Sequence, residues 1–233
     1  MAYSTRGRDP LLDAETQAAL EKRTSELIGL ALLAGAVALG LMLASYSPYD
    51  PSFLGSATGD PENLLGYPGA YIASALSFIF GRGAWALVVA LAVWGGRFLF
   101  HRGGDRLLSR GVFLPIWVAL AAVYASSHVP GPDWTHHFGL GGMLGDAALG
   151  IVIGILPLGL GAALKVAAVL LGLGVLGFGL FCTGFTRAEL SGLGRFLGIG
   201  TVLAYDKLLR RAGEDGQGAA QGLSDRRARR AET

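Results

Sequence analysis

The stretch LIGLALLAGAVALGLMLASY (residues 27–46) contains no charged side chain, and it determines how the rest of the chain is interpreted. A helix of ~20 residues rises ~30 Å, which is about the thickness of the hydrocarbon core of a membrane. Three more apolar segments of similar length follow at residues 83–100, 111–127 and 162–182. Because a backbone in lipid must satisfy its own hydrogen bonds, such segments form helices. The sequence predicts an all-α membrane protein with four transmembrane helices.

The composition agrees with a membrane protein. Of the 233 residues, 52% are hydrophobic and 15% are charged, whereas soluble domains carry about 25% charged residues. The single cysteine, Cys182, excludes a disulfide within the chain. These proportions disfavour the class of soluble globular enzymes.

Apart from Arg82 and Lys165, positive charge is confined to the terminal segments and to one of the three connections between the predicted spans. The connections 47–68 and 128–142 contain no Lys or Arg, and their acids are Asp50, Asp60, Glu62 and Asp133. Arg and Lys are concentrated before residue 27, around residues 97–110 and after residue 182. Membrane proteins retain Lys and Arg preferentially on the cytoplasmic side. We therefore expect residues 1–26 and the C-terminus in the cytoplasm, the transmembrane domain at residues 27–185, and the two acidic loops outside.

Two shorter apolar segments, at residues 69–80 and 142–154, precede the second and fourth spans. Each is too short to cross a membrane, so an interfacial or a re-entrant helix is expected at both places. The segments align without gaps when Gly69 is placed on Gly142 and Gly81 on Gly154. This alignment suggests an internal duplication, as in many membrane folds. The alternative is a chance match in a chain with 37 glycines.

The C-terminal part has a different character. Residues 186–212 are predicted to form an amphipathic segment on the inner membrane surface, because a fifth span would carry the Arg-rich end outside. Residues 213–233 have the composition of a disordered linker or tail.

The sequence gives little indication of a catalytic site or a cofactor site. No G-x-x-x-x-G-K-[ST] phosphate loop occurs in the sequence, whose lysines are Lys22, Lys165 and Lys207. We expect no enzyme activity, metal or cofactor in these residues. Arg82 and Lys165 fall at membrane level, where charge is costly and often functional. They motivate an alternative function as a small transporter or channel subunit, although both can also reach headgroups by snorkelling.

The loop after the first span resembles a known family. It reads Ser45-Tyr46-Ser47-Pro48-Tyr49-Asp50-Pro51-Ser52-Phe53 and continues with Asn63, Gly66, Gly69, Ala70 and Gly81. These residues are similar to the D-P-S-F loop and the N-x-x-G-x-x-G-A run of the amino-terminal membrane domain of the FtsK/SpoIIIE DNA translocases. Gly141, Gly142 and Gly145 before the fourth span are similar to the same family, and Gly154 completes the second set of glycines. The resemblance covers about residues 20 to 205.

The resemblance implies a role in bacterial cell division and chromosome segregation. It implies a multi-pass protein of the inner membrane, located at the division septum, that forms oligomers (hexamers in the family) and contacts other division proteins. A motor that uses ATP and Mg²⁺ to pump DNA would follow the membrane domain. Either the chain is part of such a translocase, or it is a membrane domain that acts alone. Both possibilities stay open at this point.

Overall fold

The computed structural model describes residues 13–53, 58–102, 109–132, 134, 136–186, 188–189, 191–192 and 195. Its principal helices are α1 (Ala14–Ala44), α2 (Gly66–Phe80), α3 (Trp85–Leu99), α4 (Leu114–Ser126), α5 (Gly142–Ile155) and α6 (Leu160–Cys182). A 3₁₀ turn, Gly81–Ala84, joins α2 to α3. The described residues contain no strand, so the predicted all-α fold class is confirmed.

The chain divides into two compact units, Met1–Gly184 and Phe185–Thr233. The six helices belong to the first unit. In the second unit, the side chains and backbones of Thr186 and Glu189 bond reciprocally, at 2.9 and 3.2 Å, in a capping box that starts a helical turn. Most of the predicted amphipathic segment 186–212, all of the tail 213–233 and residues 1–12 lie outside the described residues.

Three helical stretches are long and apolar enough to cross a membrane, namely Glu15–Ala44, Gly66–Leu99 and Leu160–Cys182. The third predicted span, 111–127, corresponds to α4, which has only 13 residues. The shortening has a local cause, because Pro115 lies in the first turn of α4. Proline lacks an N–H and is tolerated only at the start of a helix. Residues 112–113 therefore form a turn instead of continuing the helix.

The stretch Gly66–Leu99 is interrupted at Gly81. This residue has a φ of 55°, which ends α2 before the 3₁₀ turn begins. The segment predicted as a short helix at residues 69–80 is thus α2, and the predicted second span is α3. Since no bilayer is part of the structure, the choice between an interfacial and a re-entrant position for α2 stays a prediction.

The helices pack as two antiparallel pairs. In the first pair, a Cβ on Gly29 of α1 would lie 2.8 Å from the carbonyl oxygen of Gly95 in α3, so the two backbones touch. In the second pair, the indole N–H of Trp117 in α4 donates to the carbonyl of Val175 in α6 at 2.9 Å. The first half of the domain is therefore α1–α3, and the second half is α4–α6.

Both halves have their polar loops at the same end of the bundle. We call the end with the α1–α2 and α4–α5 loops the loop end, and the opposite end, with Arg97 and Arg110, the arginine end. Glycine and alanine dominate the contacts between helices, because small residues let helices approach closely where lipid provides no hydrophobic driving force.

Candidate functional site at the loop end

The α1–α2 loop is closed by Asp50, whose side chain is only 3% exposed. Its Oδ1 accepts the backbone N–H of Glu62 at 2.8 Å, and its Oδ2 accepts the backbone N–H of Asn63 at 3.2 Å. A buried carboxylate needs such donors to offset its loss of hydration. Asp50 thus ties the beginning of the loop to its end.

Asn63, also buried, joins the loop to the last turn of α1. Its Nδ2 donates to the carbonyls of Met42 at 2.9 Å and Ser45 at 3.4 Å. The carbonyls of a final helical turn lack partners within the helix, so this amide satisfies a need of the backbone. In return, the hydroxyl of Ser45 accepts the backbone N–H of Leu64 at 3.0 Å.

Glycine is required at positions 66 and 69 of this motif for two different structural reasons. Gly66 begins α2 with a φ of 63°, a conformation that favours glycine. Gly69 lies one turn later, where a Cβ would overlap the amide oxygen of Asn63. Ala70 is completely buried. The N-x-x-G-x-x-G-A residues therefore fit one another around the Asn63 amide.

The remaining motif residues lead away from this buried centre. Pro51 and Ser52 are half-buried. Phe53 is 78% exposed, and its ring contacts Tyr71 edge to face at a centroid distance of 4.7 Å. Tyr49 is similarly exposed. Asp50 and Asn63 thus hold a loop that presents aromatic side chains on its surface.

A second feature of the loop end is a close crossing of α2, α4 and α5. A Cβ on Gly81 would lie 2.5 Å from the backbone nitrogen of Gly142, and a Cβ on Gly142 would lie 2.7 Å from the nitrogen of Gly81. Neither position has room for a side chain. The residues that meet in this way, here called the glycine junction, are Gly81, Gly83, Gly141, Gly142, Gly145 and Ala122.

The predicted alignment of Gly81 with Gly154 is wrong. Gly154 lies within α5, and no atom is found within 4 Å of the position that its Cβ would take. Gly154 also lacks the positive φ of Gly81. The alignment rested on the equal spacing of matching Gly and Leu residues, but the backbone conformations of the two glycines differ.

A different correspondence between the halves is present in the structure. Gly142 begins α5 with a φ of 68°, close to the 63° of Gly66 at the start of α2. Each glycine donates its N–H three residues back, to the carbonyl of Gly139 at 3.1 Å and of Asn63 at 2.8 Å. The matching pair is therefore Gly66 and Gly142, three residues away from the predicted pairing of Gly69 with Gly142.

The α4–α5 loop has its own carboxylate, Asp146. Its Oδ1 accepts a hydrogen bond from the hydroxyl of Ser126 at 2.7 Å, and its Oδ2 accepts one from the backbone N–H of Gly139 at 2.6 Å. These bonds tie the end of α4 and the loop to α5. The sequence interpretation missed both side chains, although one signal was available: Asp146 is the only acid within an otherwise apolar segment.

An aromatic layer connects the two halves at the loop end. It consists of Tyr46, Trp134, His136 and Phe138. The His136 ring stacks on Tyr46 and on Phe138, at centroid distances of 5.4 and 5.0 Å, and meets Trp134 edge to face at 4.5 Å. Burial, and secondly the charge of neighbouring His137, lower the pKa of His136 from its usual 6.5. This lower pKa favours the neutral form of the imidazole.

The two membrane-level cations have different surroundings. Arg82 is exposed, and its guanidinium carbon lies 5.6 Å from the centroid of the Trp134 ring. Lys165 is exposed on α6. No contact joins the two side chains in the part of the chain that the structure describes. Within that part there is also no group of three His, Cys, Asp or Glu residues that could hold a metal ion.

Comparison with known proteins bears on the same region. Residues 21–190 match the family model of the 4TM region of the DNA translocases FtsK/SpoIIIE. A protein of Mesorhizobium japonicum named DNA translocase FtsK is 37% identical over 147 residues, which cover 61% of this chain and 16% of that protein. A protein of the same name from Bradyrhizobium diazoefficiens is 40% identical over 132 residues, covering 55% of this chain and 16% of that protein.

The matched segment is thus a small part of these longer relatives. A further DNA translocase FtsK, from Rickettsia typhi, is 37% identical over 101 residues, covering 43% of this chain and 12% of that protein. No solved structure matches the chain. The family match includes all six helices except the first residues of α1. The chain belongs to the family of the 4TM region of the DNA translocases FtsK/SpoIIIE, a membrane domain of the bacterial inner membrane.

Proposed function

We propose that this chain is the membrane anchor and assembly module of an FtsK-like DNA translocase that acts in cell division and chromosome segregation. The family match over residues 21–190 carries the proposal, because it coincides with the apolar helices. The chain contributes no phosphate loop, so ATP and Mg²⁺ would bind a motor that lies outside these residues. DNA would be contacted through that motor alone.

The loop end would face away from the cytoplasm. Its loops carry Asp50 and Asp60 and lack Lys and Arg, whereas Arg97 and Arg110 lie at the opposite end. By the positive-inside rule, the arginine end and both termini are cytoplasmic, where a DNA motor must work. The exposed rings of Tyr49 and Phe53 are the surface that we assign to contact with other division proteins.

Localisation of a fluorescent fusion tests the anchor proposal directly. We expect the fusion to form a band at the division septum of dividing cells. Replacing Phe53 with Ser would weaken the band if the exposed ring contacts a septal partner, while Leu64→Ser, another exposed apolar change on the same loop, serves as the control. A signal spread evenly over the membrane for the unmodified fusion would contradict the proposal.

Topology and assembly require separate measurements. A reporter that is active only in the cytoplasm should function when fused to either terminus and fail when inserted after Asp60. Cross-linking in native membranes should give a series of oligomers that ends at the hexamer, the state that the family resemblance implies. A monomer at all protein concentrations would remove the assembly part of the proposal and leave the anchor part intact.

A further inference from the structure

Arg82 lies close to the end of the first apolar helix, where it lines a cleft together with Leu43. Leu43, in the last turn of α1, packs in one cluster with Ala84, two residues after Arg82. Along α1, the distance from Leu27 to this turn is ~25 Å at 1.5 Å per residue. If the apolar part of α1 spans the bilayer, the guanidinium group is level with the headgroups of the leaflet at the loop end.

Two clefts adjoin Arg82. The first has a volume of about 200 Å³ and lies between the ends of α1, α2 and α3 and the α4–α5 loop, with Leu43, Tyr46, Trp85 and Trp134 among its walls. The second has a volume of about 490 Å³ and is lined by α4 and the loops, with Tyr124 and Leu140 among its walls. Arg82 is common to both.

The chemistry of these walls combines one fixed positive charge with apolar and aromatic surface. Among the described residues that line the clefts, Arg82 is the only side chain with a permanent charge, and none is a carboxylate. Guanidinium groups bind phosphate through paired N–H donors and are less strongly hydrated than ammonium groups. Rings of Tyr and Trp at this depth pack well against the boundary between headgroups and acyl chains.

We propose that the Arg82 clefts bind an anionic phospholipid from the leaflet at the loop end. The phosphate accepts N–H donors from Arg82, and the glycerol and upper acyl chains pack against Leu43 and Trp85. A soluble phosphate compound is disfavoured as the occupant because most of the walls are apolar. The fixed positive charge of Arg82 favours a headgroup with net negative charge over a zwitterionic one.

Such a lipid would contact both halves of the domain at the glycine junction. The backbone N–H of Arg82 donates to the carbonyl of Leu140 at 2.7 Å, so the residue that would bind the phosphate is itself tied to the second half. Its guanidinium group lies on Trp134 in the α4–α5 loop. A bound phospholipid should therefore stabilise the junction as well as occupy the clefts.

Quenching of tryptophan fluorescence by brominated lipids tests this proposal. The complete chain is reconstituted in phosphatidylcholine vesicles that contain a small fraction of lipid brominated in its acyl chains, either phosphatidylglycerol or phosphatidylcholine. Trp85 and Trp134 line the first cleft and report on its occupant. We expect brominated phosphatidylglycerol to associate about fivefold more strongly, the effect of one basic residue near an anionic surface.

Matched variants assign the selectivity to Arg82. Arg82→Gln should abolish the preference for phosphatidylglycerol, and Arg82→Lys should retain part of it. Lys165→Gln, which removes the other membrane-level cation, should leave it unchanged. Equal quenching by the two lipids, or selectivity that persists in Arg82→Gln, would overturn the proposal. If Arg82→Gln fails to fold, two other measurements test the proposal. The preference for phosphatidylglycerol should be lost in high salt, which screens the charge, and it should be reduced in Arg82→Lys.

Discussion

The first turns of α2 and α5 have the same backbone conformation but different surroundings. Gly66 and Gly142 have φ angles of 63° and 68°, and the next glycines, Gly69 and Gly145, follow at the same spacing. Nothing lies within 4 Å of a Cβ placed on Gly66, whereas a Cβ on Gly142 would meet the backbone of α2. One geometry thus closes a loop in the first half and forms an interface between halves in the second.

Alanine at the two helix starts should separate these roles, with the largest effect at Gly142. Gly142→Ala combines a left-handed backbone with overlap at Gly81 and should lower the free energy of unfolding by roughly 3 kcal/mol or more. Gly66→Ala meets only the backbone cost of about 1–2 kcal/mol. Thermal unfolding in detergent, followed by circular dichroism, measures the difference.

Asparagine provides the control for this pair. It tolerates the left-handed region better than alanine, so Gly66→Asn should recover part of the stability lost in Gly66→Ala. Gly142→Asn should recover nothing, because the overlap with Gly81 remains. Equal losses at the two glycines would show that the crossing at Gly142 does not contribute, and would contradict the distinction between the two helix starts.

The two loop carboxylates, Asp50 and Asp146, accept hydrogen bonds from different kinds of donor. Among the described residues, Asp50 accepts from two backbone N–H groups, which can only donate. One partner of Asp146 is the Ser126 hydroxyl, which can reverse its role and accept a hydrogen bond. Asp50→Asn therefore leaves an amide N–H facing a buried donor and should cost about 2–3 kcal/mol, whereas Asp146→Asn should cost less than ~1 kcal/mol.

A double change sharpens the second comparison. Ser126→Ala removes the hydroxyl, and Asp146→Asn replaces its charge-assisted bond with a weaker neutral one. Because both single changes weaken the same bond, the combined loss of stability should be smaller than the sum of the two single losses. Strict additivity, measured by the same thermal unfolding, would mean that the bond between Ser126 and Asp146 has no energetic weight.

The sequence predicted the apolar helices and the loop motif because those depend on local composition and order. Long uncharged segments predict helices in lipid directly. The role of Asn63 could not be derived in this way, since it depends on the carbonyls of Met42 and Ser45, about 20 residues earlier in the chain. Packing against distant backbone leaves no periodic signal.

The register of the internal repeat shows a second limit. The spacing of glycine and leucine favoured pairing Gly69 with Gly142, while the dihedral angles pair Gly66 with Gly142. In a chain with 37 glycines, several alignments have similar numbers of matches, and only the backbone distinguishes them. Pro115 was equally visible in the sequence, and its position near the start of the third apolar segment could have predicted the shorter α4.

Gly154→Ala tests the corrected register with a smaller effect. This glycine lies in the last turn of α5 with open space around it, so alanine should stabilise the protein, by less than ~1 kcal/mol, through its higher helix propensity. If Gly154 instead occupied the position equivalent to Gly81, alanine would be destabilising. A fall in the unfolding temperature of Gly154→Ala would therefore restore the alignment that the structure contradicts.

The smallest expected effect concerns the aromatic layer and its dependence on pH. Burial and neighbouring His137 lower the pKa of His136, so the folded protein binds a proton there less readily than the unfolded chain, whose pKa is 6.5. The contribution of neutral His136 to stability is fully present above pH 6.5 and is lost as the pH falls through that value towards the lower pKa of the folded state.

His136→Phe keeps a ring between Tyr46 and Phe138 but cannot titrate. The variant should match the unmodified protein at pH 8 and unfold at a higher temperature than it at pH 5.5, whereas identical pH profiles would mean that protonation of His136 does not disturb the contact between the halves.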